Sequence, residues 1–291
     1  MNKELLKENR AHGNASFPLN AYHMKITGGD MVVDCHWHEE LEFLTVTSGQ
    51  ALFQIDTVYY NVRAGEGIFV NSGELHAGYP LGNASCSFKA IVFSDSFLHH
   101  GSFDLIQSKY MDPIIKNRLS VKRHITGADE WEKALLQRLN QAMDKVLDCA
   151  PAYELIAKSE LYAAISLIVL NSEPAPSAQS IRSISCRTEE MKNALKYMQD
   201  NFPRKLSSVD ISSHLNMSEG HFCRLFKQYF KRTPMEYLNY YRISKAARLL
   251  KDTELKILEV AMEVGFDNLS YFIGTFKRFM GSTPSKYRKA E

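Results

Sequence analysis

Several large protein classes are excluded by what this chain of 291 residues lacks. Its longest apolar stretch, around residues 161–170, is about half of the roughly 20 residues needed to cross a bilayer. The start, Met1-Asn2-Lys3-Glu4, carries both signs of charge and has no apolar core, so a secretory leader is not expected. Cysteine is scarce: Cys35, Cys86, Cys149, Cys186 and Cys223 are odd in number and scattered, with no C-x-x-C pair. That argues against the common zinc motifs and a disulfide framework, and fits a reducing cytoplasm. With 15 Gly and 9 Pro, the chain is neither collagenous nor of low complexity.

What is present is a globular composition, 45% hydrophobic and 23% charged, at a length for about two domains. The net charge of +2 hides an asymmetry. Residues 187–291 hold 19 Lys/Arg against 12 Asp/Glu, a net +7, and the rest holds 16 against 21, a net −5. A basic rear behind an acidic front suggests that the rear meets a polyanion. Between them, residues 171–180 are polar, contain two prolines and show no period, which reads as a linker. The expected division is 1–100, 101–172, a linker at 173–186, and 187–291.

Residues 31–94 are expected to be β-rich. Runs of β-branched and aromatic residues at 41–47, 51–55, 67–70 and 87–93 are punctuated by Gly49, Gly65, Gly73 and Pro80-Leu81-Gly82-Asn83. Short strands at this spacing suggest a sandwich or small barrel. A helical stripe follows, with Trp131, Leu135, Leu139, Met143 and Val146 three or four residues apart. Asp129 is placed to cap it. Pro151 is placed to begin the next helix, with Leu155, Ile156, Leu161, Ile165 and Ile168 behind it. These helices need burial, either on the barrel or on a second copy of the chain. The second option is the one expected.

The pattern His36-x-His38-x3-Glu42-x6-Gly49, then Gly65-x5-Asn71-x-Gly73-x2-His76, concentrates metal-ligating residue types in the β-rich part. On one continuous strand His36, His38 and Glu42 would share a face and Trp37 would oppose them. The spacing resembles the two motifs of the cupin barrel, departing from it at Asn71 and Pro80. In metal-bearing cupins the matching positions, here His36, His38, Glu42 and His76, hold one divalent ion. The same groups serve equally as polar lining for a small-molecule site or as a hydrogen-bonded structural cluster. The ligand-pocket reading comes first, with metal as the alternative and no cofactor expected. Tyr22, Phe43, Phe53 and Phe69 could stack on a sugar, although core positions suit them better.

Within residues 211–288 the sequence repeats at an interval of 50. Phe222 matches Phe272, Phe226-Lys227 matches Phe276-Lys277, and Tyr229 matches Phe279. Thr233-Pro234 matches Thr283-Pro284, and Tyr237 matches Tyr287. Two copies of one supersecondary unit are implied. Each has helix-turn-helix chemistry. A small residue, Ser212 or Ala261, is followed four residues on by Asn216 or Gly265, which tolerate a left-handed turn. Ser218, and either Asp267 or Asn268, stand where the next helix needs a cap. That helix is amphipathic in both copies. Its outer face carries Gly220, Arg224 and Lys227 in copy one, and Ser270, Gly274 and Lys277 in copy two. A small, polar and basic face suits a major groove. The stretch from Pro234 to Lys251 is expected to be one long helix holding the two units apart.

These residues, with Met217-Ser218-Glu219-Gly220-His221-Phe222-Cys223-Arg224-Leu225-Phe226-Lys227 and Ala261-Met262-Glu263-Val264-Gly265-Phe266-Asp267-Asn268-Leu269-Ser270-Tyr271-Phe272, resemble the DNA-binding domain of the AraC/XylS family. The front resembles that family's sensor barrel. The fold implied is an N-terminal cupin-like β-barrel followed by helices, then an all-α domain with two helix-turn-helix units. The resemblance implies a cytoplasmic bacterial transcription regulator rather than an enzyme. It would usually be an activator and a homodimer, acting with RNA polymerase and answering to a small effector such as a sugar. By the same resemblance double-stranded DNA is met by Ser218, Gly220, His221, Cys223, Arg224, Lys227, Asn268, Ser270, Gly274 and Lys277. Two departures stand out: Gly274 where arginine is frequent, and Phe230-Lys231 where a Thr-Gly turn is common. A metal-dependent cupin enzyme fused to a DNA-binding domain is the alternative.

Overall fold

The computed structural model describes residues 7–8, 10–26, 32–81, 85–98, 104–175 and 178–289, with backbone alone at 178–185. They form two compact units, Lys7–Ser185 and Cys186–Glu291.

In the first unit the strands are β1 (Leu19–Ile26), β2 (Val33–His36), β3 (Leu41–Ser48), β4 (Gln50–Ile55), β5 (Val58–Arg63), β6 (Gly67–Val70), β7 (His76–Pro80) and β8 (Cys86–Phe93). The short β9 (Leu119–Ser120) and β10 (His124–Ile125) come later. A five-stranded sheet has the order β1-β8-β3-β6-β10 and a four-stranded sheet the order β2-β7-β4-β5. The two sheets share one apolar core: Leu44, Val46, Ile68, Val70 and Phe88 meet Ala51, Phe53, Ile55 and Val62. The expected β-rich domain is therefore a pair of facing sheets. β6 matches its expected span, β3, β4 and β8 differ by a residue at an end, and β1, β2, β5 and β7 were not anticipated.

Helices α1 (Asp112–Ile115), α2 (Glu130–Leu147) and α3 (Tyr153–Leu170) cover the outside of the five-stranded sheet. The stripe Leu135, Leu139, Met143 and Val146 packs with Leu41, Phe43, Phe69, Ile91 and Phe93, and with Leu161, Ile165 and Ile168 of α3. The helices thus bury these faces within the chain rather than needing a second copy to do so. β3 lies between both layers. Leu41 and Phe43 face the helices, Leu44 and Val46 face the other sheet, and Thr45 Oγ1 donates to Asn140 Oδ1 of α2 at 2.9 Å. With both faces covered, β3 shows no polar alternation to read.

Some boundaries differ from expectation. Pro151 does not open α3; it sits in a turn, and Ala152, at φ 60°, stands at the cap before Tyr153. Asp129 occupies the cap of α2 without a side-chain bond. The linker is shorter than its polarity suggests. β11 (Glu173–Pro174) pairs with β9, and α4 (Ala178–Asn201) already begins at residue 178.

The second unit continues from α4 through α5 (Ser208–His214), α6 (Glu219–Phe230), α7 (Pro234–Asp252), α8 (Ile257–Glu263), α9 (Leu269–Met280) and α10 (Pro284–Arg288). The pairs α5–α6 and α8–α9 are the two anticipated helix-turn-helix copies. α6 and α9 have 12 residues each and stand 50 apart at both ends. Asn216 (φ 53°) and Gly265 (φ 85°) make the expected left-handed turns. At Gly265 glycine is required twice over, because a Cβ there would lie 2.7 Å from Phe202 O and 2.8 Å from Pro203 O. The same loop is held by buried Arg242, which donates through Nε to Phe202 O (2.8 Å) and through Nη2 to Arg204 O (2.7 Å). α7 begins with Pro234 behind a Thr233–Glu236 capping box. Its 19 residues span about 28 Å, the strut expected between the copies.

Candidate functional sites: a histidine–carboxylate cluster and two exposed helices

The inner faces of α6 and α9 are aromatic: Phe222, Phe226, Tyr229 and Phe230 in one, Phe272 and Phe276 in the other, all buried. At a helical period this leaves the opposite face in solvent. Ser218, Gly220, His221, Arg224 and Lys227 are exposed and Cys223 is partly covered, while Asn268, Ser270, Gly274 and Lys277 are exposed. All ten expected DNA-facing positions thus lie on or at the head of these two helices. Arg224 Nη2 lies 3.4 Å from His221 Nδ1. Tyr271 and Arg278, which the repeat did not single out, are exposed on the same side of α9 as Gly274. A Cβ added at Gly220 or Gly274 would meet nothing within 4 Å. Glycine inside a helix costs about 1 kcal/mol against alanine, and nothing in the unit itself asks for it at Gly274. The open space at Gly274 leaves room for close approach from outside the chain.

In the barrel the four singled-out groups converge, though not as one strand would bring them. His36 ends β2, His38 lies in the following loop, Glu42 is on β3 and His76 begins β7, opposite His36 in register. The shared parity of 36, 38 and 42 is therefore not the cause; the facing of two sheets is. Glu42 Oε2 lies 3.3 Å from His38 Nε2 and 3.2 Å from His76 Nε2. One ligating atom from each of His36, His38, Glu42 and His76 falls within 4.8 Å of all the others. Each imidazole turns its Nδ1 outward to a main-chain carbonyl: Asp34 at 2.7 Å, Glu40 at 3.1 Å and Glu74 at 3.0 Å. Carbonyls only accept, so Nδ1 carries the proton in each ring and Nε2 faces the cluster.

Two further residues escaped the sequence reading. Glu8 Oε2 lies 3.3 Å from His36 Nε2 and 3.3 Å from His12 Nε2, and His12 Nδ1 pairs with Tyr22 Oη at 2.9 Å. The segment bearing Glu8 is tied down by Glu8 N donating to Trp37 O at 2.8 Å and by Lys7 Nζ to Glu39 at 2.6 Å. No motif marks Glu8, because only the fold brings it to residue 36.

The electrostatics follow from this packing. Burial would raise Glu42, but the imidazoles of His38 and His76 beside it hold it well below the usual carboxylate range. Burial likewise opposes ionisation of Glu8, and His12 and His36 more than reverse that. His76 is pushed down to about 4 by burial and by the neighbouring His36, against the pull of Glu42. Burial draws His36 down too, but Glu8 and Glu42 outweigh it and raise the group. The cluster thus holds two ionised carboxylates beside a neutral His76. His76 Nε2 is buried and makes no hydrogen bond. The space beside Glu42 and His76 is about 10 Å³, walled by apolar side chains such as Val33, Phe53 and Val70. That is near the volume of one water. Three imidazole nitrogens and a carboxylate at these separations fit a divalent transition metal. Phe43 and Phe69 face the helices and Phe53 the inter-sheet core, so the core reading of those rings holds. Asn71, the departure from the cupin pattern, is buried and donates to Ile114 O (2.8 Å) and Asn117 Oδ1 (2.9 Å), bracing the loop after α1.

A β-sheet unit with a polar cluster, in one chain with a double helix-turn-helix, defines the class: a transcription regulator with a ligand-binding domain. Residues 27–165 match the family described as the AraC-like ligand binding domain, and residues 211–290 match a helix-turn-helix domain family. The uncharacterized HTH-type transcriptional regulator YdeC of Bacillus subtilis is 28% identical over 98% of this chain and 96% of its own. The melibiose operon regulatory protein of Escherichia coli is 30% identical over 33% of this chain and 32% of its own. Among solved structures, the C-terminal domain of AraT from Geobacillus stearothermophilus is 35% identical, with a TM-score of 0.34, covering 35% of this chain and 85% of that one. The chain belongs to the AraC family of HTH-type transcriptional regulators. No helix among the described residues is long and apolar enough to cross a membrane.

Proposed function

We propose that the chain is a sequence-specific activator that answers to a small effector bound at His36, His38, Glu42 and His76. α6 and α9 meet DNA. Arg224 reads a base edge, since guanidinium to guanine is the commonest specific pairing, while Lys227 and Lys277 hold phosphates. The observation that carries this reading is the matched pair of exposed helix faces, each small, polar and basic, each set on an aromatic core and joined by the α7 strut. A homodimer recruiting RNA polymerase in the cytoplasm is the working form that the family suggests. A role in carbohydrate metabolism draws on the regulators of the melibiose and raffinose operons among the relatives, each similar over about a third of this chain.

The test is selection of duplexes from a random pool by the full-length protein, followed by anisotropy titrations. A selected duplex should bind about 10³-fold or more above bulk DNA at physiological salt. Indifference to sequence would overturn the reading.

A further inference from the structure

We propose that Tyr271 is the base-reading residue of copy two, and that it recognises the C5-methyl group of a thymine. This deepens the reading of α6 and α9 as the DNA-facing helices and rests on it. At the 50-residue offset Tyr271 aligns with His221, and Gly274 with Arg224. Copy one thus offers a guanidinium, with Arg224 Nη2 3.4 Å from His221 Nδ1. Copy two has no side chain at the matching place. A Cβ at Gly274 would meet nothing within 4 Å, so a groove edge can close on the α9 backbone there. A recognition helix meets base edges with its N-terminal residues. In the first turn of α9 Leu269 is partly covered, Phe272 is buried, Ser270 is small, and Tyr271 is exposed one turn before Gly274.

Tyr271 is 54% exposed, yet it is held at two points. Its hydroxyl accepts a hydrogen bond from Asn239 Nδ2 of α7 at 3.0 Å, and its ring lies 5.9 Å from that of Phe266, tilted by 51°. A ring already fixed has little freedom left to lose on binding. With the hydroxyl engaged on α7, the side chain offers DNA apolar ring carbon. In the major groove thymine alone answers with an apolar group, its C5-methyl, while the purines present acceptors that suit a donor such as Arg224. The two copies then read unlike half-sites, guanine under copy one and thymine under copy two. A purely structural Tyr271 would only brace α9 on α7, and DNA affinity would not register the methyl group through it.

The experiment uses the full-length protein and the duplex it selects from the random pool. Each thymine of that duplex is replaced in turn by deoxyuridine, which lacks only the methyl group. At one thymine the replacement should weaken wild-type binding about fourfold, the worth of one buried methyl. That thymine should lie about one helical turn from the base pair that Arg224→Ala relaxes. Tyr271→Ala should bind the thymine duplex several-fold more weakly than wild type and be indifferent to the replacement. Tyr271→Gln, which puts a polar amide in place of the ring, should be indifferent as well. Tyr271→Phe, which keeps the ring and drops the Asn239 bond, should stay sensitive. If no thymine shows a penalty that depends on residue 271, or if the only such thymine adjoins the base pair relaxed by Arg224→Ala, the proposal is overturned and the regulator reading stands. Indifference of the wild-type protein to duplex sequence would overturn both.

Discussion

The first helix-turn-helix copy ends its outer helix on Lys231 at φ 54°, and the second ends on Gly281 at φ 72°. The first begins α6 at Ser218 with no side-chain cap bond, while Asn268 caps α9 by accepting from Tyr271 N at 2.8 Å. Copy two is therefore the better-built helix at both ends. The outer faces reverse the order: copy one presents His221, Arg224 and Lys227, and copy two presents Ser270, Gly274 and Lys277. Well-capped helix ends and an outer face bearing His221 and Arg224 have been divided between two units of common pattern. The cores are alike because both pack an aromatic stripe; the ends and outer faces are not constrained by that packing and have diverged.

This division is open to direct attack. The largest effect is expected at Arg224. Arg224→Ala should lose about 1–3 kcal/mol of specific DNA binding and relax selectivity at one base pair. Lys277→Ala should weaken binding to all duplexes alike and lower the salt slope by roughly one. Anisotropy across a salt series separates the two outcomes, and equal loss of selectivity in both variants would erase the contrast between copies. Next, Asn268→Ala should destabilise by about 1 kcal/mol in urea denaturation, and Ser218→Ala by clearly less, since only the first removes a cap bond. Equal losses would show that the caps do not distinguish the copies. Gly281→Ala should cost about 1 kcal/mol, the left-handed strain that Lys231 already bears in copy one. Last, Gly274→Ala should raise stability by up to about 1 kcal/mol while weakening DNA binding, a pairing of signs visible when melting and anisotropy are measured together. A gain in both would mean that no close approach occurs there.

Much of the second unit was legible because its information is local. Phe222 and Phe272, Asn216 and Gly265, and the two Thr-Pro pairs each act within one supersecondary unit, so a 50-residue offset exposes them. The refinement that escaped is one of length. The connection between helices runs from 215 to 218 in copy one and from 264 to 268 in copy two, so it is one residue longer in the second. The barrel was legible in part. The motif gave His36, His38, Glu42 and His76, but for a reason the fold replaces: they come from two strands of one sheet, a loop and the facing sheet. Glu8 and His12 were invisible, since only tertiary pairing carries them to His36. β1 and β2 were missed because their residues carry mixed polarity, and α3 was anticipated but with its start set two residues early, at Pro151, because the left-handed Ala152 that precedes Tyr153 carries no helix-start signal. The polar run 171–180 looked like a linker, although polarity does not exclude a helix and α4 begins within it at residue 178.

β3 carries adjacent residues to different places. Glu42 turns toward the histidines and Phe43 turns toward the helix layer, in ring contact with Phe69 at 4.8 Å. The distance in chain between the histidine–carboxylate cluster and the α2–α3 layer is therefore a single peptide bond. If the proposed effector sits at Glu42, its shortest route to the outer helices is this one strand.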